Sequence, residues 1–133
     1  MADKESILVV DDEPSIRKYL QTLLEVDGFD VETVSSGKDA LERIGTGERP
    51  DFVILDVLMP EMDGLQAAEA ICRRWPRGTR PRLVALTAMA APGDQERCLR
   101  AGFDDYMSKP IHLDELSDAL TAAAGWRATP KVL

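Results

Sequence analysis

The sequence predicts an α/β protein built on a doubly wound, five-stranded parallel sheet with helices on both faces. Short apolar runs alternate five times with stretches whose apolar residues recur at helical spacing. Runs such as 7–10 and 52–55 are apolar at consecutive positions rather than at every second one, which is the mark of strands covered on both faces. Strand and helix alternating in this way calls for parallel strands joined by helical crossovers. A chain of 133 residues holds one such domain with a sizeable core.

Ile7-Leu8-Val9-Val10 is the first run, and it stops abruptly at Asp11-Asp12. Glu13-Pro14 opens a helix, since proline fits a first turn where its missing N–H costs nothing. Ile16, Leu20, Leu23 and Leu24 then repeat at one helical face, and Gly28 sits where that helix should end. Residues 30–34 read as the second strand. Ser36 is the expected cap of a short helix carrying Ala40, Leu41 and Ile44, closed by Gly45 and Gly47. Phe52-Val53-Ile54-Leu55 is the third strand and ends in Asp56. After a loop comes a helix with Leu65, Ala68, Ile71 and Cys72 on one face. The Pro-, Gly- and Arg-rich stretch 75–81 reads as a surface connection. Residues 82–87 form the fourth strand, 94–101 the fourth helix and 105–108 the fifth strand. Residues 113–124 complete the pattern as a helix with Leu116 and Leu120 facing inward. The domain is expected over 1–124, with 125–133 a tail or the start of a linker.

Composition narrows the function. A net charge of −8 and an isoelectric point near 4.6 repel nucleic-acid phosphates and anionic lipid, so neither is an expected partner. No long apolar run and no leader-like N-terminus appear, which points to a cytoplasmic protein. Cys72 and Cys98 lack metal-ligand spacing and read as reduced packing residues.

The chemistry gathers where strands end. In a doubly wound sheet, ligands sit beyond the carboxyl ends of the strands, near the point where strand order reverses. Asp11-Asp12, Asp56, Thr87 and Lys109 all fall at such ends. Carboxylates gathered together repel unless a cation lies among them, and Mg²⁺, a hard ion that shares phosphates with carboxylates, suits the set. A cation, an amine, a hydroxyl and a carboxylate nucleophile are the parts of a phosphoryl transfer. No base is needed, because an ordinary carboxylate is ionised at neutral pH.

These residues stand in stretches that resemble the receiver domains of two-component signalling. They are Leu8-Val9-Val10-Asp11-Asp12-Glu13, Leu55-Asp56-Val57-Leu58-Met59-Pro60-Glu61-Met62-Asp63-Gly64, Leu86-Thr87-Ala88 and Tyr106-Met107-Ser108-Lys109-Pro110. Each alone is weak; all four in order at strand ends are specific, and the likeness runs from about residue 7 to 120. The resemblance implies the flavodoxin-like (βα)5 receiver fold and phosphorylation of Asp56. It further implies Mg²⁺, with Mn²⁺ able to substitute, on Asp12, Asp56 and the Leu58 carbonyl, with Asp11 acting through a water. Thr87 and Lys109 would hold phosphoryl oxygens, and Tyr106 would reorient on activation, remodelling the surface of helix four, strand five and helix five. The implied donor is a histidine kinase or a histidine phosphotransfer domain, and the output is a downstream effector protein or fused domain. The implied state is a monomer or weak dimer that catalyses only its own phosphorylation and dephosphorylation.

Blander readings exist for each residue. Asp11-Asp12 alone could be a turn and helix cap, Thr87 a strand former, Lys109 a surface lysine and Tyr106 packing. Met59, Met62 and Met89 read as packing. His112 is the only histidine and reads as a surface or capping residue, so the phosphoryl donor must be another protein or domain. The second half is closest to receivers fused to hybrid histidine kinases, while Pro14-Ser15-Ile16-Arg17-Lys18-Tyr19-Leu20 is more like those of transcriptional regulators. A standalone receiver, a receiver cut from a hybrid kinase and a join of two receivers all fit. The residues after 124 are too few for an output domain, so the response is expected to run through a partner. Two other classes compete. A haloacid-dehalogenase-type phosphatase shares the Asp nucleophile, Mg²⁺, Thr and Lys, but would carry Asp-x-Asp at the end of strand one. A degenerate receiver would serve only as a binding module.

Overall fold

Runs of β-branched and aliphatic residues favour a pleated, doubly covered surface, and the computed structural model forms its strands on them. It describes residues 5–47, 49–57, 59, 62–76, 78–87 and 93–108. In chain order these give β1 (Ser6–Val10), α1 (Pro14–Val26), β2 (Asp30–Val34), α2 (Gly37–Gly45), β3 (Phe52–Asp56), α3 (Gly64–Arg74), β4 (Arg82–Thr87), α4 (Asp94–Ala101) and β5 (Asp105–Ser108). The helix expected over 113–124 and the tail 125–133 lie outside the described residues.

All strands pair in parallel, in the order β2-β1-β3-β4-β5. The chain winds outward from β1 to β2 and then returns past β1 to β3. The order therefore reverses between β1 and β3, and the crevice of a doubly wound sheet opens above their carboxyl ends.

Alternation of side chains along each strand splits the core in two. Ile7, Val9, Phe52, Ile54, Val84, Leu86 and Met107 face α1, whose Leu20 and Leu24 are buried against them. Leu8, Val10, Val53, Leu55, Leu83 and Ala85 face α2, α3 and α4 on the other side. Phe29 meets Phe52 edge-on at 6.3 Å between ring centroids and closes the first layer at its lower end. The helical faces follow the sequence period, with Ile16 and Leu23 half-buried beside Leu20 and Leu24.

Helix ends are set by local chemistry. Ser36 Oγ accepts from Asp39 N at 3.1 Å and starts α2. Asp63 and Gln66 form a reciprocal capping box at the start of α3, at 2.8 and 3.0 Å. Gly102 ends α4 with φ +112°, and the absence of a Cβ leaves room for the Cys72 sulfur against that turn. The amino-terminal end of the sheet is tied by Arg82–Asp104 at 2.9 Å, with Asp104 Oδ2 also accepting from Leu83 N at 2.8 Å.

Two details depart from the sequence reading. The connection 75–81 is not all surface: Trp75 is half-buried against the core and Pro81 is buried. Strand β1 also begins one residue earlier, at Ser6, whose N–H donates to Asp51 Oδ2 at 2.9 Å. In α3, Leu65, Ala68, Ile71 and Cys72 share the face turned to the core, as read from sequence, with Ala67 and Ala70 buried beside them. Cys72 and Cys98 are both thiols; burial first, then the nearby Asp94 carboxylate, pushes the Cys98 thiol up, with Arg97 opposing.

Ile54 lies at 0% exposure on β3 between two paired strands. Ile54→Ala should cost about 3 to 4 kcal/mol in urea unfolding, from lost transfer energy plus a cavity the rigid sheet cannot close. A cost below about 1 kcal/mol would mean the sheet relaxes into the space.

Candidate functional site

The site begins with register. Val10 lies opposite Leu55 across β1 and β3, so the next residues, Asp11 just past β1 and Asp56 at the end of β3, continue side by side. Both fall on the parity of the α1 face, and both are buried, at 0% and 2% exposure. Asp12 is exposed at the rim. Carboxylate oxygens of Asp11, Asp12 and Asp56 all lie within 4.8 Å of one another. Three of the predicted site residues are thus brought into one cluster.

Backbone contacts pin this cluster. Asp11 N donates to Val34 O of β2 at 3.2 Å, and Asp11 Oδ1 accepts from Glu13 N at 2.9 Å. That side-chain turn aims the chain into Pro14 and α1, whose N-cap Glu13 makes no side-chain cap of its own. Arg17 Nη1 donates to the Asp11 carbonyl at 2.7 Å. On the β3 side, Val57 N donates to Leu86 O at 2.9 Å, extending the pairing of β3 with β4.

The start of α3 lies against the end of β3. Gly64 N donates to Val57 O at 2.9 Å, and a Cβ on Gly64 would run into the Asp56 carbonyl and come within 2.7 Å of Val57 Cα. Only glycine lets the first turn of α3 approach the acidic strand end this closely. Met59 is buried and half-buried Met62 covers Gly37, so both methionines pack, as read from sequence.

Thr87 ends β4 at 2% exposure, one residue beyond the Asp56–Leu86 register pair. Tyr106 pairs in register with Ala85 and packs against the core layer under α2, α3 and α4. Ala85 and Thr87 share a strand face, so Thr87 and Tyr106 lie diagonally on the same side of the sheet. Leu58, Lys109 and His112 lie outside the described residues.

The donor set at the cluster is all carboxylate oxygen. Oxygen-only donors fit a hard divalent cation such as Mg²⁺ and not the nitrogen and sulfur ligation typical of zinc. Two buried ligands with one exposed at the rim also leave a path from solvent.

The family model of the response regulator receiver domain matches residues 7–121. The chain belongs to the response-regulator receiver family. As a receiver it is 39% identical over 125 residues to the response regulator MprA of Mycolicibacterium vanbaalenii, covering 93% of this chain and 52% of that protein. It is 38% identical over 118 residues to hybrid signal transduction histidine kinase L of Dictyostelium discoideum, covering 86% of this chain and 7% of that protein. The receiver fold is shared with the chemotaxis protein CheY4 of Vibrio cholerae, at a TM-score of 0.82 and 27% identity, over 91% of this chain and 99% of that one. The chain spans about half the length of the curated relatives it matches, such as a probable transcriptional regulator of Guillardia theta and the response regulator MprA. Membership turns the fold class and the phosphorelay signalling role from expectations into properties of the receiver. Among the described residues, no helix is long and apolar enough to cross a membrane.

Sequence reading did not single out Gly64 or Arg17, though both touch this receiver's acidic site. Gly64→Ala should destabilise the receiver by about 2 to 3 kcal/mol in urea unfolding, because backbone rather than a movable side chain blocks the new methyl. Wild-type stability in that variant would show that the loop after Asp56 can yield.

Proposed function

We propose that this receiver takes a phosphoryl group on Asp56 from a phosphohistidine of a histidine kinase or histidine phosphotransfer domain. The observation that carries the reading is the cluster itself: a buried carboxylate at the end of β3 flanked within 4.8 Å by two more. An Asp56 carboxylate oxygen attacks phosphorus in line and forms the P–O bond of an acyl phosphate. The P–N bond to the donor imidazole breaks, and its electron pair returns to the ring nitrogen, which takes a proton from water. Mg²⁺, or Mn²⁺ in its place, supplies charge neutralisation at the phosphoryl oxygens.

Asp12, Asp56 and the Leu58 carbonyl would hold the cation directly, and Asp11 would act through a water. The Thr87 hydroxyl donates to one phosphoryl oxygen and the Lys109 ammonium balances the charge of another. Drawing Thr87 toward the phosphoryl group opens space on the sheet face it shares with Tyr106, and Tyr106 moves into it. The surface of α4, β5 and the helix expected over 113–124 is thereby redistributed between two states. The output is an effector protein or a domain fused to this one. The receiver acts as a monomer or weak dimer in the cytoplasm, over residues 1–124, without contacting nucleic acid itself. Its only chemistry is its own phosphorylation and dephosphorylation.

Incubation with acetyl phosphate and Mg²⁺ should add about 80 Da to the intact mass of wild-type protein and nothing to Asp56→Asn. A gain that survives in Asp56→Asn, or a wild type inert toward both acetyl phosphate and histidine kinases, would contradict the assignment.

A further inference from the structure

Asp12 is the exposed member of the acidic cluster, and among the described residues no hydrogen bond or ion pair holds its carboxylate. Its direction is therefore set by its backbone, through the peptide group that joins it to Asp11. One side chain grips that peptide: Arg17 Nη1 donates to the Asp11 carbonyl at 2.7 Å. Arg17 stands one turn into α1, its own N–H bonded to Glu13 O at 3.1 Å, and it is half-buried. A cation so near a helix N-terminus opposes the helix dipole, and the first turn of α1 carries no acidic residue to offset it. The short charge-assisted bond to Asp11 is the compensating interaction.

We infer that Arg17 is a positioning residue for the cation site: by clamping the Asp11 carbonyl it fixes the Asp11–Asp12 peptide and keeps the Asp12 carboxylate within reach of Asp11 and Asp56. This rests on the proposed Mg²⁺-dependent reading of the cluster. Charge and geometry predict opposite signs here. Removing a positive charge beside a cation site favours Mg²⁺ by electrostatics alone, whereas releasing the clamp lets Asp12 swing and weakens binding. The sign of the effect therefore separates a positioning role from a general contribution to the local field.

The test is calorimetric titration of Mg²⁺ into the wild type, Arg17→Met, Arg17→Lys and the exposed control Lys18→Met, with urea unfolding of each in the absence of metal. Arg17→Met should weaken Mg²⁺ about ten-fold, the usual scale for a residue that orients a ligand. Arg17→Lys keeps the charge but not the planar fork and should shift affinity in the same direction. Lys18→Met should leave it unchanged or slightly tighter. In an Asp12→Ala background the Arg17→Met effect should vanish, which a purely structural arginine would not produce. Should Arg17→Met fail to fold, Arg17→Lys carries the comparison. Affinity equal to or tighter than wild type in folded Arg17→Met would overturn the inference while leaving the Mg²⁺ reading intact. A wild type that takes up no Mg²⁺ would remove both.

Discussion

Mutual repulsion among Asp11, Asp12 and Asp56 is the constraint around which the upper end of the molecule is built. Carboxylate oxygens within 4.8 Å of each other cost roughly 1 kcal/mol per charged pair in bulk water and roughly 3 to 4 kcal/mol at the effective dielectric near a protein surface. Two of the three are removed from bulk water, so solvent screening does little for them. The backbone contributes to holding such a cluster. Parallel register puts Asp11 beside Asp56, the Asp11–Glu13 turn fixes the exit from β1, and Gly64 lets α3 close over the exit from β3. The rest of the sheet supplies the rigidity that makes this arrangement affordable.

The pleat of the strands then divides the site between the two faces of the sheet. Asp11 and Asp56 follow the parity of the layer packed on α1, whereas Thr87 and Tyr106 follow that of the layer packed on α2, α3 and α4. Under the proposed reaction, phosphoryl oxygens at the strand ends lie where both sets can be felt. A change of charge registered at one edge is thus coupled to packing on the other face through β4, without any long-range mechanism. The tight end opposite the site, with Arg82–Asp104 and Ser6–Asp51, has no reason to take part.

Much of this was legible in the sequence. Strand runs such as Phe52–Asp56 are continuous and apolar because both faces are covered, and a carboxylate closing such a run stands out against it. Helix limits were marked by Pro14, Gly28 and Ser36, whose backbone preferences act locally. What could not be read depends on contacts distant in sequence. Gly64 is an unremarkable glycine until the Asp56 backbone is found against it. Trp75 sits in a stretch with the composition of a surface loop, yet Arg49 stacks over its ring at 5.4 Å and its other side rests on the core. Arg17 carried one faint signal, a cation where a helix start prefers an anion.

If the carboxylates are held against their own repulsion for the sake of a cation, removing one charge should stabilise the metal-free protein. The most direct measurement is urea unfolding of the wild type and Asp56→Asn, each with and without Mg²⁺. Without metal, Asp56→Asn should be the more stable, by about 1 to 3 kcal/mol, and Mg²⁺ should raise the wild type and narrow that gap. An Asp56→Asn protein no more stable than the wild type, with neither responding to Mg²⁺, would contradict the account.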